Sequence, residues 1–401
     1  MRRTCEQRLE MSLENACALI ADCPHTTAQD EGVGYPLVRT PNIGYGRLVF
    51  DKMHRVSRAV YDIRNKRAKP LPGDLIYARE APAGNVALIM PGQEVCLGQR
   101  TVLIRPNPEI VDSAFLTYYL LAPAQRNKLL GTATGATVAH VNVPAIRNLE
   151  ISLPSLPTQK RIADILSAYD DLIENNRRRM EILEESARLI YRKMLGGKRT
   201  NGTKMPLSEL ADVVMGQSPE SSTYNEDGVG LPFHQGVAGF GDRYPINEKW
   251  CTAGTRFAEE GDVLFSVRAP VGRINVSREK IVIGRGLAAM RAKNGCQSWL
   301  LHTLKNHFSK EDMIGVGCIF ASTTKKELFS VELFVPPEVE IEKFEQEVAP
   351  MDEQIRVLTD VNLKLAKARD MLLPKLMSGK VGDEMLKDLE AEVHCGGRGT
   401  L

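Results

Sequence analysis

The stretch IADILSAYDDLIENNRRRMEILEESARLIYRKML, residues 162–195, decides the fold of this chain. Its apolar residues recur at spacings that alternate between four and three, which is typical of a long helix packed in a coiled coil. The seam positions are, in order, Ile162, Leu166, Tyr169, Ile173, Asn176, Met180, Leu183, Ala187, Ile190 and Met194. A seam of this length predicts a helix of about 35 to 40 residues, roughly 50 to 60 Å long.

A second seam lies near the end of the chain. It consists of Phe344, Val348, Met351, Ile355, Leu358, Asn362, Leu365, Ala368 or Arg369, Leu372 and Leu376. Pro350 is expected to start or kink this second helix, because a proline inside a helix loses a hydrogen bond and clashes with the preceding turn.

Each seam contains one asparagine. If the two helices pair antiparallel about their centres, Asn176 and Asn362 meet, and a buried asparagine pair fixes helix register at a cost in stability. The alternative is that both are partly exposed polar residues where each seam meets solvent or a partner chain.

Outward from the helices, the chain repeats itself. Four segments recur in the same order: 31–48 and 227–244, 71–89 and 259–277, 96–106 and 282–292, and the ungapped pair that begins at Gly135 and Gly317. In each copy, Gly-Asp turns precede β-rich runs, which predicts a mixed α/β domain. The sequence therefore predicts an α/β (α+β) fold with a pseudo-two-fold repeat, in which two similar domains are separated by two long antiparallel coiled-coil helices.

These features divide the chain into six segments. The predicted bounds are 12–155 for the first mixed domain, 156–196 for the first helix, 197–205 for a linker, 206–337 for the second mixed domain, 338–379 for the second helix and 380–401 for a charged tail.

Composition limits the classes of function. The chain has 401 residues, 43% of them apolar, and a net charge of only +2, which argues against a polybasic nucleic-acid binder. Residues 1–155 hold 18 basic and 14 acidic residues, 156–205 hold 11 and 7, 206–336 hold 14 and 15, and 337–401 hold 9 and 14. Positive charge is thus concentrated in the first half of the chain.

The cysteines and apolar runs indicate the compartment. The eight cysteines form no CxxC pair, which favours reduced thiols and no metal site. The N-terminal residues lack the apolar run of a signal peptide, and no stretch approaches the roughly 18 apolar residues of a membrane span. We therefore expect a cytoplasmic protein.

The sequence contains none of several catalytic motifs. It lacks an Asn/Asp-Pro-Pro-Tyr/Phe loop, a phosphate-binding loop ending in GK[ST], an HExxH motif and a GxSxG elbow. We therefore expect no catalysis by this chain.

Several segments resemble the DNA specificity subunits of type I restriction-modification systems. The carriers are residues 153–195 and 344–381, with the closing LLPKLMSGKV (372–381) as a specific tag, and VRTPNIGYGRL (38–48), PGDLIYARE (72–80) and GATVAHVN (135–142). The resemblance covers the chain apart from its first ten residues and its tail. It implies two target recognition domains that each read half of a split double-stranded DNA site, for adenine N6 methylation or restriction.

The same resemblance implies the partners. Two methyltransferase subunits would dock on the helical scaffold and restriction subunits would join the complex. S-adenosylmethionine, ATP and Mg²⁺ would be bound by those partners and no cofactor by this chain. The alternative is a coiled-coil scaffold protein whose two α/β domains bind protein or peptide partners.

The candidate base readers are polar residues in loops between the predicted strands. Arginine can fork onto guanine, and asparagine or glutamine onto adenine, in the major groove. The candidates in the first domain are Arg39, Asn42, Arg47, Arg79, Gln99, Arg100, Thr137, His140 and Asn142, and those in the second are His234, Gln235, Arg243, Arg268, Arg273, Arg285 and Thr323. Repeat-equivalent positions that differ, Arg39 against Gln235 and Gln99 against Arg285, are the better candidates because the two half-sites are expected to differ.

A basic cluster in the first domain is a candidate phosphate contact. It comprises Arg64, Lys66, Arg67 and Lys69. The alternative is a solvated loop.

Overall fold

A computed structural model describes residues 8–133, 140–196, 202–308 and 323–379, together with Leu386. The chain forms two compact units: Met1–Asn175 with Asn362–Leu401, and Asn176–Val361. Each unit contains one copy of the sequence repeat and one half of each long helix. Within the described ranges, no helix is both long enough and apolar enough to cross a membrane.

The first unit is a mixed α/β domain joined to helix halves. Its strands are β1 Leu9–Ser12, β2 Cys17–Asp22, β3 Tyr35–Val38, β4 Gly46–Arg47, β5 His54–Val56, β6 Leu75–Ala78, β7 Val86–Leu88, β8 Cys96–Leu97, β9 Thr101–Pro106 and β10 Glu150–Leu153. Its shorter helices are α1 Leu13–Ala16, α2 Arg58–Arg64, α3 Ser113–Leu121, α4 Pro123–Gly131 and α5 Val143–Arg147.

The strands of the first unit form one main sheet, one smaller sheet and a terminal pair. The main sheet has the order β2-β9-β6-β7-β4, the smaller one β5-β3-β8, and β1 pairs with β10. Strands β6 and β9 are almost wholly buried and rich in β-branched and aromatic residues, as expected for a central strand pair covered on both faces. Their side chains pack against α3 in the largest hydrophobic core of the unit.

The second unit repeats this plan. Its strands are β11 Thr203–Pro206, β12 Ala211–Met215, β13 Tyr224–Asn225, β14 Leu231–His234, β15 Trp250–Cys251, β16 Phe257–Ala258, β17 Val263–Ser266, β18 Ile274–Val276, β19 Ile281–Ile283, β20 Leu287–Ala292 and β21 Glu332–Val335. Its shorter helices are α7 Leu207–Leu210, α8 Gln297–Phe308 and α9 Lys325–Phe329.

Corresponding strands of the two units pair in the same way. The sheet β12-β20-β17-β18 matches β2-β9-β6-β7, and β14 lies parallel to β19 as β3 does to β8. Gly34 and Gly230, which precede the paired strands, both have a positive φ, and a Cβ at either would lie 2.3 Å from a backbone oxygen. Only glycine fits such a turn, so the repeat seen in the sequence is a repeat of structure.

Two long helices run through both units. Helix α6 spans Leu156–Gly196 and α10 spans Glu338–Met377. Every predicted seam position on both helices is buried or half-buried, and of Ala368 and Arg369 it is Arg369 that is buried. The periodicity of the sequence therefore identified the packed face.

Within each unit the two helix halves are antiparallel. In the first unit, Arg369 pairs with Asp170, and Asn362 Nδ2 donates to the carbonyl of Ile173 at 3.2 Å. In the second, Phe344 meets Tyr191 edge-on with ring centroids 5.6 Å apart, and Thr359 contacts Met180. Residue numbers rise on one helix as they fall on the other, so the predicted α/β fold with antiparallel helices is confirmed.

Pro350 lies inside α10, which begins earlier at Glu338. The alternative that Pro350 starts the helix is therefore wrong. Pro350 is exposed, so the backbone hydrogen bond that it lacks is lost on the face away from the seam.

The end of α10 completes the core of the first unit. Leu373 and Leu376 are almost fully buried and belong to the same cluster as Ile162, Leu166 and Phe115. Leu386 is buried in that cluster as well. The first unit is thus built from residues at both ends of the chain.

Candidate nucleic-acid interface

Polar side chains collect at one end of the main sheet of the first unit. Strands β2 and β6 end there with Asp22 and Ala78, and β9 begins there with Thr101. Arg79 and Glu80 follow β6, and Arg100 precedes β9. Antiparallel pairing brings these side chains together although they are far apart in sequence.

These side chains form one hydrogen-bonded network. Arg79 donates to the carbonyl of Val141 at 2.9 Å, to Asp22 at 3.0 Å and to His140 Nε2 at 2.7 Å. Because arginine has only donors, Nε2 of His140 accepts, and its Nδ1 carries the proton that it donates to Glu80. Arg100 completes the network, with its Nε 2.9 Å from Oε2 of Glu80.

Arg100 is the outermost member of this network. Its side chain is 57% exposed and its backbone has φ +65°, a left-handed conformation that a non-glycine residue adopts only at a cost. Arg100 is thus exposed but held in place, whereas Arg79 is buried and supports the network from within.

Two predicted readers of the first unit are occupied by contacts within the fold. The amide of Asn42 is buried: it accepts from the backbone N–H of Arg39 and donates to the carbonyl of Val49. Arg47 Nη2 lies 2.6 Å from Asp171 on α6. The polar groups of Asn42 and Arg47 are thus paired within the fold, and base reading by either residue stays a prediction.

The other predicted readers of the first unit lie at the surface. Arg39 is half-buried beside Gly98, Gln99 donates to the carbonyl of His25 at 2.9 Å, and Asn142 caps α5 by accepting from the N–H of Ala145 at 2.8 Å. Thr137 lies outside the described residues.

In the second unit, two predicted readers are buried. His234 is 4% exposed and hydrogen-bonds to Asn247 at 3.0 Å, and burial lowers its pKa. Arg243 is paired with both Glu184 on α6 and Asp352 on α10, the latter at 2.6 Å. Both residues contact other parts of the fold, and base reading by either of them stays a prediction.

Lys305 and Arg243 together set the ionisation of Glu184. Burial raises the pKa of Glu184, but Lys305 and Arg243 more than offset this and lower it to about 2. Arg243 and Arg47 occupy equivalent places in the sequence repeat, and both bind acidic residues of the long helices. This arginine therefore ties the mixed domain to the helices in each unit.

The remaining predicted readers of the second unit are at the surface. Gln235 and Arg285 are exposed and adjoin the ends of the parallel strands β14 and β19. Arg268 follows β17, and the end of β17 lies beside the start of β20. Arg273 is exposed, and Thr323 donates its backbone N–H to the carbonyl of Val267 at 2.8 Å.

The predicted phosphate cluster is only partly exposed. Arg64 is 5% exposed and donates to the carbonyls of Leu97 and Thr26, and burial lowers its pKa, so its role is structural. Lys66, Arg67 and Lys69 are exposed. Arg67 donates to the backbone carbonyl of Asp22 at 3.3 Å, which places it beside the network of Arg79.

Sequence reasoning missed two residues at these strand ends. Glu80 holds Arg100 and His140 in the first unit, and Ser218 holds Gln235 in the second. The signal for Glu80 was its place directly after Arg79. Ser218 gives no such signal, because only the pairing of β12 with β20 brings it to the site.

Comparison with known proteins identifies relatives of this chain. Residues 21–185 match the family model described as the type I restriction modification DNA specificity domain. The chain is 28% identical over 376 residues to the type I restriction enzyme MjaX specificity subunit of Methanocaldococcus jannaschii, covering 87% of this chain and 88% of that protein. It is 24% identical over 381 residues to the MjaIX specificity subunit of the same organism, covering 82% and 84%.

A solved structure has a similar fold. The S subunit of the type I restriction-modification system from M. genitalium is 16% identical, with a TM-score of 0.58, and the match covers 94% of this chain and 97% of that one. This likeness concerns the fold.

Proposed function

Since the chain belongs to the family of type I restriction-modification DNA specificity subunits, we propose that each of its two units reads one half of a split DNA target. The observation that carries this proposal is that equivalent strand ends bear different polar side chains, half-buried in the first unit and exposed in the second. Arg39 and Gln99 in the first unit stand where Gln235 and Arg285 stand in the second. Two copies of one fold with different polar tips suit a target whose halves differ in sequence.

Basic residues of the first unit would bind the phosphates beside the bases. Lys66, Arg67 and Lys69, which are exposed, are the candidates in the first unit. In the second unit, Arg268 and Arg273 remain candidate base readers. Phosphate contacts position a protein on DNA, whereas base contacts specify the sequence.

The long helices would set the gap between the half-sites. The spacing of two reading domains fixes the spacing of the sequences that they read. Asn176, which is buried, and Asn362, which bonds to the backbone of α6, would fix the helix register.

The helices would also bind the methyltransferase subunits, two of them on a scaffold with a two-fold repeat, with restriction subunits completing the complex. Both helices expose large apolar side chains, which a docked subunit would bury. They include Leu172, Ile182 and Leu189 on α6 and Val357 and Met371 on α10.

Catalysis in this proposal belongs to the partner subunits. S-adenosylmethionine, ATP and Mg²⁺ would be bound there, and this chain would supply the sequence preference in the cytoplasm, beside the genomic DNA. The sequence offers no motif for methyl transfer or phosphate binding.

The test is deletion of the gene for this chain from a host that keeps the methyltransferase gene, followed by modified-base sequencing of the genome. We expect adenine methylation at one split motif to disappear on deletion and to return when the chain is expressed again. Unchanged methylation in the deletion strain would overturn the proposal.

A further inference from the structure

Gln235 packs closely against two glycines, Gly284 and Gly286. The backbone N–H of Gly284 donates to the carbonyl of His234 at 2.8 Å, and that of Gly286 donates to the carbonyl of Gln235 at 3.1 Å. A Cβ at Gly284 would lie 2.6 Å from Oε1 of Gln235, and one at Gly286 would lie 2.5 Å from its backbone oxygen. Any larger residue at either position would push Gln235 out, so the residue is exposed yet fixed at its base.

A short relay of hydrogen bonds orients the amide of Gln235. The backbone N–H of Arg285 donates to Oγ of Ser218 at 3.4 Å, and Oγ of Ser218 lies 2.9 Å from Oε1 of Gln235. An N–H can only donate, so Ser218 accepts from Arg285. An amide oxygen can only accept, so the hydroxyl of Ser218 donates to Oε1 of Gln235. The carbonyl thus faces Ser218 and Gly284, so the NH₂ group is the part of the amide that is turned away from them.

The outward NH₂ group determines what this residue can read. In the major groove, a donor is matched by N7 or O6 of guanine, N7 of adenine or O4 of thymine, whereas cytosine presents a donor. The two-bond contact with adenine that the sequence suggested needs the carbonyl and the NH₂ to face the same base. Because Ser218 holds the carbonyl of Gln235 inward, that contact would require the amide to leave Ser218.

We propose that Gln235 reads a hydrogen-bond acceptor on one base of the second half-site, and that Ser218 is the positioning residue that turns its donor outward. This inference rests on the proposed function. It adds the chemical class of the base edge and the residue that imposes it.

The first unit supports this inference by contrast. Arg39 occupies the position of Gln235, and its Cγ would lie 3.1 Å from a Cβ at Gly98, the equivalent of Gly284. A guanidinium has donors on every side and needs no partner to orient it. The first unit has no serine at the position of Ser218. By the pairing of β2 with β9 and of β12 with β20, that position is occupied by His25, which is exposed.

The experiment uses the full chain, expressed with its methyltransferase subunit in a host without other adenine methylation, and modified-base sequencing as the readout. In Gln235→Ala we expect the preference at one base pair of the second half-site to fall by about ten- to hundredfold, with the first half-site unchanged. Gln235→Glu replaces the donor by acceptors, so the preferred base at that pair should change to one that presents an amino group.

Two variants of Ser218 test the positioning role. Ser218→Ala should relax the preference at the same base pair, because the amide is then free to flip, and Ser218→Thr, which keeps the hydroxyl, should restore it. Retention of the first half-site reports that each variant is folded and assembled.

The outcomes separate this inference from the proposed function. If the wild-type chain directs no methylation to a split motif, the proposed function fails. If it does and Gln235→Ala keeps the wild-type motif at every position, or changes only the first half-site, the inference alone is overturned. Equal preferences in Ser218→Ala and the wild type would remove the positioning role.

Discussion

Single charged residues decide how the mixed domains are held to the helices. Arg243 is buried between Glu184 and Asp352, and its equivalent Arg47 binds Asp171. The buried pairs of Arg243 are costly to form, because charges lose their hydration, and more costly to break, because the remaining charge is left unpaired. Both arginines therefore join a mixed domain to the long helices.

Replacing Arg243 by alanine should destabilise the second unit by about 3 to 5 kcal/mol, because Asp352 would lose its arginine and Glu184 would keep only Lys305. Thermal unfolding of the purified chain measures this. The matched control is Arg188→Ala, which removes a solvent-exposed pair with Glu185 and should change the thermal midpoint far less, because water and salt screen such a pair. Equal losses in both variants would contradict the assignment.

His302 should make the second unit sensitive to mild acid. Burial lowers its pKa from 6.5 to about 4, and its ring packs against Tyr191 and Phe344. Between those two pH values the unfolded chain binds more protons than the folded one, so stability falls as the pH drops from about 6.5 towards 4.

The measurement for His302 is the thermal midpoint at pH 7.5 and pH 5, compared between the wild type and His302→Phe. The variant keeps an aromatic ring but cannot titrate, so its midpoint should fall less on acidification. Glu184 titrates at lower pH, near its pKa of about 2, and does not contribute in this window. An identical acid shift in both proteins would exclude His302 as the cause.

Local sequence does not show which arginines of this chain are buried. Arg64, Arg79 and Arg243 were predicted to be at the surface because arginine usually is. Their partners are backbone carbonyls and carboxylates far away in the sequence, such as Asp22 for Arg79 and Asp352 for Arg243. Pairing over such separations depends on strand register and helix packing, which no local pattern encodes.

At the scale of elements, the long helices were predictable because their signal is local and repeated. Each seam position lies three or four residues from the next, so one sequence window contains the evidence for the packed face. The end of α10 is different: Leu373 and Leu376 leave the helix pair to enter the core of the first unit. Heptad spacing predicted that these turns are apolar on one face, but it did not predict what they pack against.

Inserting one heptad into both helices, between Ile173 and Met180 and between Leu358 and Leu365, should preserve the seam and lengthen each helix by about 10 Å. That length corresponds to roughly three base pairs of DNA. We expect modified-base sequencing to find the same half-sequences with a changed gap, or no methylation. Insertion in only one helix disrupts the pairing and should lower the thermal midpoint. New half-sequences in the double insertion would contradict a spacer role.

At the scale of the whole molecule, charge is unevenly distributed. Residues 1–205 hold 29 basic and 21 acidic residues, whereas residues 206–401 hold 23 and 29. Few phosphates can be neutralised by such a chain, and each neutralised phosphate contributes to the salt dependence of DNA binding. We therefore expect the chain to contribute sequence preference within a complex and to have low affinity for DNA by itself.

The isolated chain should bind duplex DNA weakly and with a shallow dependence on salt. Titration by fluorescence anisotropy at several salt concentrations, with and without the methyltransferase subunit, measures the slope of affinity against salt. We expect the slope to steepen in the complex, because the partner adds phosphate contacts. A slope that is equally steep for the chain alone would place the main phosphate contacts on this protein.

The entry of α10 into the first core also bears on synthesis of the protein. A ribosome completes residues 12–155 early, but the nascent first unit lacks Leu373, Leu376 and Leu386 until translation is almost finished. The second unit, Asn176–Val361, has all its residues before then. A premature stop after Val361 would leave every residue of the first recognition domain in the chain, but its core would lack Leu373, Leu376 and Leu386. A mutation near the end of the gene would therefore destabilise the domain at the beginning of the protein.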